Sequence, residues 1–116
     1  MNAKIQAHIL SEPEMRKIGF TDHAKDSWYF AGCYVFRKRN FTGILRFLSV
    51  TIPQNEDDIR IDVLDEAFLQ PYDYQRILSG HPDHETALIV QEQVEKWMDY
   101  LQKSGVLSGH IRGEYI

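Results

Sequence analysis

The stretch "DSWYFAGCYVFRKRNFTGILRFLSVTI", residues 26–52, carries the strongest structural pattern in the chain. Aromatic and β-branched residues fill its two ends, 26–36 and 44–52, which is typical of β-strands. The polar segment 37–43 between them ends in glycine, as a hairpin loop often does. The stretch therefore predicts two antiparallel strands joined by a short loop.

A third strand follows this hairpin. Pro53 ends the second strand, because proline cannot donate to a sheet ladder. After an acidic turn, residues 59–64, "IRIDVL", alternate between apolar and polar side chains. We predict that this one-sided strand lies nearer the edge of a three-stranded antiparallel meander.

Helical patterns lie on both sides of the strands. Ser11 stands three residues before Glu14, which is a capping box, and Gly19 is a natural end for the short helix that follows. A long C-terminal helix is predicted from about Pro82 to Ser104. Its apolar stripe has spacings of three and four residues and comprises Ala87, Val90, Val94, Trp97, Met98 and Leu101.

The elements together predict one α+β domain over residues 1–116. It consists of a three- or four-stranded antiparallel sheet with the long C-terminal helix packed on one face, because only the sheet can cover the apolar stripe. A short helix is predicted to begin at Pro71 and to end at Gly80. The tail 110–116 is either a fourth strand or a loose arm, and the N-terminal segment 3–10 fits a strand or a helix equally well.

Both faces of the first two strands carry apolar residues, and the C-terminal helix can cover only one of them. An uncovered apolar face is typical of a contact surface. We therefore predict a self-associating protein or one that binds another protein. The candidate contact residues are Trp28, Tyr29, Phe47, Tyr72 and Tyr74. The alternative is that these five side chains belong to the core.

The segment 59–75, "IRIDVLDEAFLQPYDYQ", contains four carboxylates that could bind a divalent cation or act as a general acid and base. They are Asp62, Asp65, Glu66 and Asp73. Their spacing matches no calcium-binding loop. Asp62 is the polar partner in an alternating strand, and Asp65 and Glu66 stand where a turn should follow. We interpret the cluster as the end of a strand followed by a turn.

A metal site is a weaker alternative. His81 and His84 lie three residues apart at the start of the predicted last helix. Zinc requires four ligands in most structural sites, and no second ligand pair is visible, so one histidine is as well explained as a helix cap. With nearby carboxylates this pair defines the alternative function of a metal-assisted hydrolase.

A nucleic-acid interface is a second alternative. Arg37, Lys38 and Arg39 form a basic hairpin loop beside aromatic residues, and Arg46 follows in the next strand. Such loops can bind phosphates and stack on bases. However, the chain has a formal net charge of −4, which repels nucleic acid at long range. Nucleic acid is therefore not the expected partner.

Composition places the protein among soluble cytoplasmic domains. Of its 116 residues, 43% are hydrophobic and 26% are charged. No apolar run approaches the roughly 18 residues of a membrane span, and the N-terminus lacks the apolar core of a signal peptide. The single cysteine, Cys33, allows no internal disulfide and fits a reducing compartment.

Sequence motifs of common enzymes are missing. The chain has no phosphate-binding loop, no dinucleotide-binding glycine pattern and no nucleophile elbow. Cys33 lies among large apolar residues, where a thiol usually packs without reacting. We predict no enzymatic activity and no cofactor.

The segments "MRKIGFTDHAKDSWYF", residues 15–30, and 59–75 resemble small uncharacterised proteins of Gram-positive bacteria and their phages. In those proteins a Gly-Phe-Thr segment precedes a Trp-Tyr-Phe strand. The resemblance implies a bacterial or prophage setting and a stand-alone small domain, and it implies no activity.

Overall fold

The computed structural model describes residues 5–24, 27–36, 44–64 and 70–112. For residues 23–24, 31–36 and 44–47 it describes the backbone but not the side chains. Its elements follow in the order β1 Gln6–Ala7, α1 Glu12–Ile18, β2 Thr21–Ala24, β3 Ser27–Phe36, β4 Ile44–Pro53, β5 Arg60–Leu64, α2 Tyr74–Gly80, α3 Glu85–Lys103 and β6 Leu107–Ser108.

The main sheet has four antiparallel strands in the order β2-β3-β4-β5. The predicted α+β fold is therefore confirmed, and so are the meander and the edge position of β5. The fourth strand is β2, formed by residues 21–24. Of the C-terminal tail, residues 110–112 form no strand, and residues 113–116 lie outside the described ranges. The ambiguous N-terminal segment contributes β1, which pairs with β6 in a separate two-stranded sheet.

The predicted capping box starts α1. Ser11 Oγ accepts a hydrogen bond from the backbone N–H of Glu14 at 3.3 Å and donates one to the Glu14 carboxylate at 3.0 Å. Gly19 follows the helix with a φ of +122°, a conformation that favours glycine. A Cβ atom at this position would lie 3.2 Å from the Phe30 ring, so the turn also brings α1 close to β3.

The apolar stripe of α3 is buried as predicted. Five of its six residues are buried in the core, namely Ala87, Val90, Val94, Met98 and Leu101. The sixth, Trp97, is half-buried and makes an edge-to-face contact with Phe30 of β3, with ring centroids 5.3 Å apart. The helix therefore lies on the face of the sheet that carries Phe30.

Two helix starts differ from the prediction. α3 begins at Glu85 rather than near Pro82, because His84 is the N-cap and its Nδ1 atom accepts the Ala87 N–H at 3.2 Å. α2 begins at Tyr74 rather than at Pro71.

The reason for the later start of α2 lies in the sheet. Pro71 forms a β-bridge with Leu64, and the Tyr72 N–H donates to the Val63 carbonyl at 2.7 Å. These residues stay extended beside β5. Asp73 then caps the helix by accepting the Arg76 N–H at 3.0 Å.

One face of the sheet forms the core with the helices. Its buried residues are Phe30 in β3, Leu48, Val50 and Ile52 in β4, and Ile61 and Val63 in β5. They alternate with residues that are half-buried or exposed, so burial along the strands follows the two-residue period of a pleated sheet.

Candidate functional site

The second face of the sheet is the candidate functional site. Backbone register aligns Tyr29 with Thr51 and Thr51 with Arg60, and it aligns Ser49 with Asp62. All five residues are half-buried or exposed in the single chain. We call this surface, defined by its five residues, the open face.

The described helices all pack against the other face. Met15 of α1, Tyr74 of α2 and Val94 of α3 belong to the same buried cluster as Leu48 and Val50. Within the described ranges no element covers the open face, which therefore presents side chains from three neighbouring strands to solvent.

The described side chains of the open face are mostly polar, since Ser49, Thr51, Arg60 and Asp62 share this face with Tyr29. The sequence predicted a second apolar face from large residues of the second strand such as Phe47, whose side chain lies outside the described residues. A hydroxyl-bearing face can remain wet in a single chain, so folding does not require a partner to bury it.

The predicted contact residues separate into different environments. Tyr29 lies on the open face. Trp28 is paired in register with Ile52, belongs to the core face and has the Arg16 guanidinium 5.5 Å from its ring centroid. Tyr72 is half-buried and packs against the core.

Tyr74 is the clear correction among these candidates. Its exposed fraction is 3%, so it is a core residue and not a contact residue. Tyr74 is the first residue of α2, which packs against α3, and its side chain belongs to the buried core cluster. Phe47 lies in β4 opposite Leu64, and its side chain is outside the described residues.

The other predicted sites are only partly described. Residues 37–39 of the basic loop lie outside the described ranges, and so does the side chain of Arg46. Nucleic-acid binding stays an untested alternative. Residues 65 and 66 of the acidic cluster also lie outside these ranges, whereas Asp73 is the N-cap of α2. Asp62 is exposed on the open face.

His81 and His84, the two candidate metal ligands, both lie at helix ends. His84 Nδ1 is engaged as the cap of α3, and His81 follows α2, where its backbone N–H donates to the Ile77 carbonyl at 2.8 Å. Among the described residues, no group of three or more His, Cys, Asp or Glu side chains is placed to hold a metal ion. Metal-assisted hydrolysis stays an untested alternative, without a ligand set among the described residues.

A buried pair of ionisable residues was missed by the sequence analysis. Glu95 and His110 have side chains that are 3% and 1% exposed, and Nε2 of His110 lies 2.9 Å from Oε2 of Glu95. The backbone N–H of His110 also donates to the Gln102 side chain at 3.0 Å. Together these bonds fasten the segment after β6 to α3.

A cavity of about 240 Å³ borders this pair. It is lined by Gln91, Glu92, Glu95 and Arg112, and an exposed ion pair between Arg112 and Glu92 spans 3.3 Å. Glu95 lies beside the predicted apolar stripe of α3. The sequence around it does not indicate that its side chain contacts residue 110. Only the tertiary structure brings the two side chains together.

Comparisons with known proteins support the fold. No protein-family model matches the sequence, and no curated protein matches it either. Among the described residues, no helix combines the length and the apolar character needed to cross a bilayer. A solved structure of a DUF1831 family protein from Lactobacillus plantarum is similar over 89% of this chain and 82% of that chain, with a TM-score of 0.62 and 11% identity. At that identity the likeness shows the fold alone: the chain has an α+β fold that is also found in a DUF1831 family protein.

Proposed function

We propose that the protein is a small cytoplasmic protein-interaction module that self-associates through the open face. The observation that carries the proposal is the one-sided packing of the sheet. The three described helices contribute buried residues to the core on one face, while Tyr29, Thr51 and Arg60 remain on the other without a described covering element. A face shared by several neighbouring strands is a broad, rigid platform for a second sheet.

The residue types of the open face are compatible with binding a second copy of the chain. Tyrosine and arginine are enriched in protein interfaces, and Tyr29 and Arg60 lie at opposite ends of one row of the open face. Serine and threonine hydroxyls can donate and accept hydrogen bonds across an interface. A surface with both signs of charge also avoids the repulsion that two identical singly charged surfaces would feel.

The size of the whole sheet limits how strongly two copies can associate through it. β3 and β4 each have ten residues, which is about 33 Å at the usual rise per residue. With strands about 4.8 Å apart and two shorter outer strands, the flat footprint is roughly 450 Å². Stable interfaces bury about 800 Å² of accessible surface per partner. We therefore expect weak association that depends on protein concentration.

Sedimentation velocity tests the proposal. The sedimentation coefficient of the wild-type chain should rise between low micromolar and millimolar concentrations as dimers form. A Thr51→Arg variant places a bulky charge at the centre of the open face and should remain monomeric over the same range. Its circular dichroism and thermal unfolding should match the wild type, because Thr51 is outside the core.

The matched control changes the helical side of the molecule. Leu88 is 42% exposed on α3, so Leu88→Arg adds the same charge to a different surface. This variant should associate like the wild type. A wild-type chain that stays monomeric up to millimolar concentration, or association that is lost in Leu88→Arg and kept in Thr51→Arg, would overturn the proposal.

A further inference from the structure

The open face consists of two rows of residues that complement each other. The first row is Tyr29, Thr51 and Arg60, and the second is formed by position 31, Ser49 and Asp62. The rows are neighbours along the strands, about 6.8 Å apart, because residues of one face repeat every second position. Each row places one residue on each of β3, β4 and β5.

We propose that two copies pair face to face about a twofold axis that crosses the strands between these two rows. The proposal rests on the self-association proposed above and specifies its register. Such an axis turns one copy over and reverses its strands, so each strand faces the same strand of the second copy. The first row of one copy then lies opposite the second row of the other.

This pairing is favourable on β5. Arg60 and Asp62 are both exposed and carry opposite charges two residues apart. In an isologous interface, a contact of one residue with another occurs twice. The axis therefore brings Arg60 of each copy opposite Asp62 of the other and creates two ion pairs.

The middle strand fits the same axis. On β4, Thr51 of one copy faces Ser49 of the other, which places hydroxyl groups opposite each other at the middle of the interface. Each hydroxyl group can both donate and accept a hydrogen bond.

The alternative registers lack these matches. An axis along the first row would place Arg60 opposite Arg60 and Tyr29 opposite Tyr29. An axis along the second row would place Asp62 opposite Asp62. Like charges that face each other at an interface oppose association. The axis between the rows is therefore the register that the charges on β5 favour.

Charge reversal tests the register by complementation. Arg60→Glu makes both β5 positions acidic, and Asp62→Arg makes both basic. Each variant alone should self-associate at least about tenfold more weakly than the wild type at low salt, because two attractive pairs become repulsive. An equimolar mixture should form a heterodimer, since every facing pair then has opposite charges. The double variant R60E/D62R should self-associate like the wild type.

Fluorescence energy transfer between chains labelled with different dyes measures these outcomes. Heterodimers in the mixture together with recovery in the double variant would support the register. A wild type that associates while the mixture does not would overturn the register and leave the proposed function standing. A wild type that shows no energy transfer with itself would overturn both. Lys96→Glu, a charge reversal on an exposed position of α3, serves as the control and should leave association unchanged.

Discussion

Replacing Glu95 with alanine is expected to lower the free energy of unfolding by about 1–3 kcal/mol, because a buried polar group that loses its hydrogen-bond partner is costly. The His110 side chain is 1% exposed, and its Nε2 atom would lose the carboxylate oxygen that lies 2.9 Å away. Equilibrium unfolding in urea at neutral pH measures the change.

The exposed pair between Glu92 and Arg112 supplies the control for this prediction. Both side chains are more than half exposed, and exposed pairs contribute little to stability. Glu92→Ala should therefore unfold at nearly the same urea concentration as the wild type. Equal midpoints for Glu95→Ala and Glu92→Ala would contradict the assignment of a buried pair at position 95.

An apolar replacement of the whole pair distinguishes the lost hydrogen bond from lost volume. The double variant E95L/H110L removes both ionisable groups and retains bulk at each position. Replacing both partners of a buried hydrogen bond by apolar groups of similar shape can be nearly neutral. We expect the stability of the double variant to exceed that of Glu95→Ala. A double variant as unstable as the single one would indicate that the pair has a role beyond its own hydrogen bond.

The second large loss of stability is expected when Phe30 is replaced. Phe30 is 6% exposed, and its ring centroid lies 5.3 Å from those of Phe20 and Trp97, so it connects β3 with the turn after α1 and with α3. Phe30→Ala should cost about 3–5 kcal/mol of unfolding free energy through lost burial and the cavity left behind. Thermal and urea unfolding at low protein concentration are the measurements.

Tyr29→Ala is the matched control, because Tyr29 is the adjacent residue and lies on the open face. At a concentration where the protein is monomeric, this substitution should change stability far less than Phe30→Ala. The comparison removes the same kind of aromatic bulk from the two faces of one strand. A loss at Tyr29 as large as that at Phe30 would show that both faces are packed within a single chain.

Local patterns in the sequence predicted much of the fold. The hairpin, the capping box of Ser11 with Glu14 and the stripe from Ala87 to Leu101 depend on neighbouring residues only. For such elements, spacing alone determines which side chains share a face. The end of α1 at Gly19 was predictable for the same reason, since it follows from one residue type.

Features that depend on strand register were not predictable in the same way. The face shared by Thr51, Arg60 and Tyr29 exists only because three strands align with a particular offset, and a shift of one residue would reverse every side chain. The position of Tyr74 in the core depends on residues 71–72 remaining beside β5, which local propensity did not indicate. The contact of Glu95 with His110 likewise requires the chain to turn back after β6.

The central claim is that the sheet has one packed face and one face that a second copy covers. The methyl groups of Val50 and Thr51 report on these two faces from adjacent positions of β4. Their relaxation by a soluble paramagnetic probe, measured by NMR at low and at high protein concentration, tests the claim directly. We predict that Val50 is protected at both concentrations, whereas Thr51 is strongly relaxed in the dilute sample and becomes protected in the concentrated one. Protection of Thr51 in the dilute sample, or strong relaxation of Thr51 at both concentrations, would contradict the account.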